Sequence, residues 1–122
     1  MIKLKTKWFN KWAKKNLVYD SVLQETIQLI PNKSNIADLG GGLYKVRTPK
    51  EGAGKSGGYR TLIVYKEKDR AIFVYGFSKS EKDNLDNKEL IYLKKLANDL
   101  LKISKIELIN LVKLGVFFRL EE

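Results

Sequence analysis

The sequence predicts an α+β fold, with two helices ahead of a central antiparallel sheet and two helices and a short final strand behind it. Two observations carry this prediction. Residues 7–30 and 86–113 space their apolar side chains as helices do, whereas residues 43–78 alternate or run apolar as strands do. Turn-forming residues separate the two regimes, and no repeat, linker or low-complexity tract interrupts them. At 122 residues the chain has the size of one compact domain, so 1–122 is expected to fold as a single unit.

From Lys7 to Lys15, Trp8, Phe9 and Trp12 fall on one side with lysines filling the others, which predicts a short amphipathic helix ended by Asn16. Ser21 with Gln24 has the form of a capping box, and Leu23, Ile27 and Ile30 extend an apolar stripe as far as Pro31. A weak strand-like segment, Ile36 to Leu39, leads into Gly40-Gly41-Gly42. Leu43 to Thr48 then alternates, so that Tyr44 and Val46 leave one face of a strand and Lys45 and Arg47 the other. Pro49 through Gly58 is glycine-rich and basic, which predicts an irregular, mobile loop.

Tyr59 to Lys66 and Ala71 to Ser78 are apolar, β-branched and aromatic, and the polar Glu67-Lys68-Asp69-Arg70 between them predicts an antiparallel hairpin. Apolar residues at most of its positions imply cover on both faces over part of its length. Asp86 with Glu89 forms a second capping pair, followed by Leu90, Leu93, Ala97, Leu100 and Leu101 on one helical face. Ser104 with Glu107 opens another short helix through Lys113, Gly115 stops it, and Val116 to Leu120 reads as the last strand.

Composition narrows the chemistry. Twenty-four Lys and Arg against fourteen Asp and Glu give a net charge of +10, a field that attracts polyanions before any specific contact forms. A lysine-rich surface that is merely solvated is the competing reading. The chain holds no Cys and no His, which removes disulfides, thiolate nucleophiles, imidazole bases and ordinary zinc sites. No metal or other cofactor is expected, and any catalysis falls to Lys, Arg, Tyr and carboxylates. Apolar runs are too short for a membrane helix, and Met1 to Lys15 lacks the apolar block of a signal peptide, so a cytoplasmic location is expected.

The strongest grouping is cationic: Lys45 and Arg47 on one strand face, Lys50 and Lys55 on the loop, Arg60 opening the next strand and Lys79 closing the hairpin. Like charges brought together on adjacent strands are unfavourable until an anion joins them, and a phosphate would do so. Without His or metal, such a site suits attack of a ribose 2′-hydroxyl on its neighbouring phosphodiester. That reaction needs a proton acceptor, cationic stabilisation of the transition state and help for the departing 5′-oxygen. Lysine becomes a base when nearby cations disfavour its protonated form, whereas arginine is too basic for proton transfer. Exposed strands also carry such alternating cations with no function at all. The Gly-Lys-Ser run at Gly54-Lys55-Ser56 is not a phosphate-binding loop of the Walker type, since Pro49 stands where its first glycine belongs and a strand follows. Tyr59, Tyr65 and Tyr75 are of a type that stacks on bases, although strand tyrosines are more often core.

Four ordered segments together resemble toxins of the RelE/HigB group. They are Ala37 to Leu43 (Ala-Asp-Leu-Gly-Gly-Gly-Leu), Lys45 to Arg47 (Lys-x-Arg), Gly54 to Thr61 (Gly-Lys-x-Gly-Gly-Tyr-Arg-Thr) and Val74 to Asn84, and the resemblance extends over about residues 8 to 120. It implies a microbial-ribonuclease-like fold that cuts messenger RNA at the ribosome and is held inactive by a cognate antitoxin. Against a toxin of charge +10, that antitoxin is expected to present an acidic surface. By the same resemblance the catalytic positions fall on Lys45, Arg47, Arg60 and Lys79, with Lys45 the candidate proton acceptor and the other three meeting phosphate. Lys50, Lys55, Tyr59 and Lys82 are the expected RNA-binding residues. The sequence departs from the better-known members at two positions: Ser80 replaces an arginine that assists the leaving group, and Asp86 aligns with a stacking tyrosine. Lys82 is a candidate substitute for the missing arginine. Two other functions share the scaffold: a ParE-like toxin that poisons DNA gyrase, against which the Lys-x-Arg strand weighs, and a nonenzymatic basic RNA-binding module.

Overall fold

In a computed structural model the described residues are 1–49 and 58–121. The predicted Pro49–Gly58 loop, with Lys50 and Lys55, therefore lies largely outside them. Ten elements follow in order: β1 (Ile2–Thr6), α1 (Lys7–Lys15), α2 (Asp20–Leu29), β2 (Ile36–Asp38), β3 (Leu43–Thr48), β4 (Tyr59–Lys66), β5 (Arg70–Ser78), α3 (Asn87–Lys102), α4 (Lys105–Lys113) and β6 (Phe117–Arg119). The six strands form one sheet in the order β2-β3-β4-β5-β1-β6. The α+β class holds, but the sheet is mixed rather than antiparallel, because β1 runs parallel to β5.

β1 is also an element that the sequence reading lacked. Ile2 and Leu4 enter the core, and Lys5, only 8% exposed, is neutralised by Asp20 at 2.7 Å. Lys3 donates to the Gln24 side chain at 2.8 Å, so both lysines of the strand have partners that permit burial. That use of Gln24 displaces the expected Ser21–Gln24 capping box: α2 starts at Asp20, and its N-cap, Tyr19, makes no side-chain cap bond. The other predicted caps are present. Asp86 and Glu89 form a reciprocal box at α3, Ser104 accepts from the Glu107 N–H at α4, and Asn16 closes α1.

Both faces of the sheet are covered. α1 and α2 pack Phe9, Ala13, Leu23 and Ile27 on Val46, Ile63, Ala71 and Phe73. α3 and α4 pack Leu93, Ala97, Leu100 and Leu108 on Leu43, Leu62, Val64 and Ile72. A bulge between Leu62 and Ile63 adds one residue to β5 and switches its side-chain parity. Phe73 therefore faces α1, while Tyr75 and Phe77 turn to the α3 side. Gly76 lies between them because the Trp12 ring rests on the sheet there, and a Cβ at that position would stand 2.6 Å from it. No helix among the described residues is long and apolar enough to cross a membrane.

A cationic candidate active site

Alternation on β3 places Lys45 and Arg47 on the same face as Leu43, the side covered by α3. The antiparallel register then builds two rows across three strands. Arg47 faces Arg60, which faces Phe77; Lys45 faces Leu62, which faces Tyr75. Lys45, Arg47 and Arg60 line a shallow cavity of about 210 Å³ together with Asn35, Ile36 and Ala37 of the β2 edge. Burial, and then the Arg47 charge opposite, pull the Arg60 pKa below its ordinary value. Among the described residues no carboxylate forms an ion pair with Lys45, Arg47, Arg60 or Lys79. Two guanidinium groups held opposite each other, with no ion-paired carboxylate among the described residues, suit binding of an anion.

The segment between β5 and α3 borders this cavity. Lys45 Nζ donates to Asn84 Oδ1 at 3.0 Å. Lys82 sits 5.3 Å from the centroids of both the Tyr75 and Phe77 rings, donates to the Tyr75 hydroxyl and is ion-paired with Glu89. The Tyr75 hydroxyl also donates to Glu89 at 2.6 Å. Hydrogen bonds from Lys82 and Tyr75 hold the Glu89 carboxyl down to about 2. For Lys82, burial favours the neutral amine, but the bonds to Glu89 and Tyr75 outweigh it and raise its pKa. Burial, reinforced by the bond to Glu89, raises Tyr75.

The expected site residues thus separate into groups. Lys45, Arg47 and Arg60 come together around one cavity. Lys79 stands exposed on the turn after β5, its N–H directed at the Gly58 carbonyl (3.5 Å), and no hydrogen bond or ion pair joins its side chain to the other three. Lys82 belongs to the Tyr75–Glu89 network. Lys50 and Lys55 lie outside the described residues. Tyr59, 5% exposed, packs in the core, edge-on to Trp12 at 5.2 Å with its hydroxyl donating to the Asn16 carbonyl. Asn84 and Glu89 are the site neighbours that sequence reasoning passed over. No local spacing links Asn84 to Lys45, 39 positions earlier.

No curated protein matches the chain. A family model described as the RelE toxin of the RelE/RelB toxin-antitoxin system matches residues 1–120, spanning every element and the whole of the cationic cavity. By that match, and in keeping with its α+β fold, the chain belongs to the RelE family of toxins of toxin-antitoxin systems, which work against an antitoxin partner.

Proposed function

We propose that the chain is a metal-independent endoribonuclease that cuts messenger RNA on the ribosome, with the cavity between β2, β3 and β4 as its active site. The convergence of Lys45, Arg47 and Arg60 on one cavity, with no ion-paired carboxylate among the described residues, carries this proposal. A phosphodiester entering there meets two planar guanidinium donors suited to its non-bridging oxygens and an amine at the adjacent position of the same strand face. Lys45 accepts the 2′-hydroxyl proton as the oxygen attacks phosphorus. Arg47 and Arg60 stabilise the charge that grows on the phosphorane-like transition state, and Lys79 extends the positive surface along the RNA. As the O2′–P bond forms the P–O5′ bond breaks, and the departing 5′-oxygen takes a proton from water, leaving a 2′,3′-cyclic phosphate and a free 5′-hydroxyl. Family membership supports this activity, and the Arg47–Arg60 pair supplies the electrostatic reason for it.

Primer extension on translated messages after induction is the test. Cleavage inside codons is expected, and Lys45→Ala combined with Arg60→Ala should abolish both cutting and toxicity. A double variant that cuts as the parent does removes the site assignment. DNA breaks together with intact messages would instead favour a gyrase-directed toxin.

A further inference from the structure

We propose that Asn84 is the positioning residue for Lys45, fixing the direction of its amine so that the lone pair of the neutral form meets the substrate hydroxyl. This inference rests on the nuclease reading of the cavity. Its basis is a contact between two segments that the fold brings together: Lys45 Nζ donates to Asn84 Oδ1 at 3.0 Å, and the Leu85 N–H donates to the same oxygen at 2.9 Å. Both partners are donors, so the amide oxygen, not its nitrogen, must face Lys45.

The short stretch carrying Asn84 is anchored on each side. Upstream, Lys82 is tied to Glu89 and Tyr75, and its N–H bonds to the Ser78 carbonyl. Downstream, Leu85 packs on the core, and Asp86 exchanges two hydrogen bonds with Glu89 at the start of α3. Glu89 thus ties both flanks of Asn84, giving an exposed asparagine a fixed place beside a strand lysine.

The choice of an amide here has a chemical consequence. A lysine serving as a base must spend part of its time neutral, and a carboxylate as hydrogen-bond partner would hold it as ammonium. An amide oxygen accepts from either form. It therefore directs one N–H without adding a negative charge, and a neutral amine donating to Asn84 keeps its lone pair for another partner. The charges around Lys45 agree with that role. Arg47 on its own strand and Arg60 on β4 share its cavity, while its cross-strand neighbours Ala37 and Leu62 are uncharged. Asp38 of β2 lies on the opposite face, in a cavity with Tyr44 and Tyr65. Among the ionisable groups of the bordering segment, Lys82 is paired with Glu89 and Asp86 caps α3, while Glu81 and Asp83 are exposed and have no ion pair among the described residues; on α3, Lys94 extends towards Gly40.

The test compares the parent with Asn84→Asp, Asn84→Ala and, as a charge control, Asp83→Asn. Two quantities are followed against pH: the single-turnover cleavage rate on programmed ribosomes, and the Lys45 Cε resonance in protein carrying carbon-13 lysine. Asn84→Asp, which places a carboxylate against the Lys45 amine, should move the Lys45 resonance and the rising limb of the cleavage profile to higher pH together. Asn84→Ala should lower the plateau about tenfold with the limb left near its place, as expected of an amine that has lost its orientation. Asp83→Asn should leave the limb where the parent has it. A Lys45 resonance that titrates identically in Asn84→Asp overturns the proposal, and so does a cleavage limb that fails to follow it in a parent that cuts. A parent that cuts no RNA overturns the nuclease reading itself, with the Lys45 titration still reporting whether the contact exists.

Discussion

Replacing one arginine of the Arg47–Arg60 pair should make the protein more stable and less active. The two residues are direct cross-strand partners, neither has a carboxylate partner among the described residues, and Arg60 is partly withdrawn from water. Like charges directly opposite on a sheet cost roughly 0.2–1 kcal/mol. Arg47→Gln keeps much of the aliphatic stem and removes the repulsion, so the folded state should gain about that amount. For a chain of 122 residues the entropy of unfolding is about 0.26 kcal/mol per degree, which converts the gain into a rise in Tm of roughly 1–4 °C. The cause predicts a salt signature as well. Screening acts over about 10 Å at 0.1 M salt and about 3 Å at 1 M, so the advantage of the variant should shrink in concentrated sodium chloride. Calorimetry at the two salt concentrations measures the stability, and cleavage on ribosomes measures the function, where a loss of about 100-fold is expected for one missing donor to a transition-state oxyanion. A Tm at or below that of the parent in low salt would refute the reasoning.

Two further outcomes follow from the ion-paired side chains. Glu89 has a folded pKa below its unfolded one, so the stability it contributes is complete above the ordinary carboxylate range of about 4.3 and is lost as pH falls towards about 2. Thermal melts across that window should show Tm declining in the parent and a shallower decline in Glu89→Gln. Arg70, only 4% exposed, donates to the carbonyls of Leu100 and Ile103 at the end of α3 and pairs with Asp69. Arg70→Leu leaves those carbonyls without their donor and should cost about 2–4 kcal/mol, read as a lower urea midpoint.

How far the sequence discloses such a molecule depends on how local each cause is. The Lys45–Arg47 face was legible because a strand has period two, and the cap of α3 because Asp86 and Glu89 stand three residues apart. β1 shows the same period in Ile2-Lys3-Leu4-Lys5-Thr6, but lysine is a residue type seldom found inside a sheet. What permits their burial is Asp20 and Gln24 on α2, together with a parallel partner, β5, that begins 68 residues further on. Arg70 is a similar case: as part of a polar turn it looks exposed, and only the far end of α3 explains its burial. Tyr59 shows the reverse dependence, a burial set by a distant helix. An aromatic residue at a strand start beside cations suits a base platform, but Trp12, lying on Gly76, closes over it.

The division of labour among charges links the fold to its partner. The ion pairs of the described residues are Lys5–Asp20, Arg70–Asp69, Lys105–Asp69 and Lys82–Glu89. Each fastens one element or turn to another, and none includes a cation of the cavity. Asp20 joins α2 to β1, Asp69 joins the β4–β5 turn to Arg70 and α4, and Glu89 joins α3 to the segment beside Lys45. The acidic groups that form ion pairs are thus occupied within the scaffold, and the cavity is left to an anion from outside. In the nuclease reading proposed above, RNA supplies that anion as phosphate. An antitoxin that silences the toxin by covering the same cavity must bring carboxylates of its own, since an apolar cover would bury Arg47 and Arg60 against each other uncompensated. If the proposed nuclease site is also the surface that the antitoxin covers, toxin activity and antitoxin recognition rest on the same guanidinium groups, and a variant that escapes neutralisation by losing one of them should lose cleavage with it.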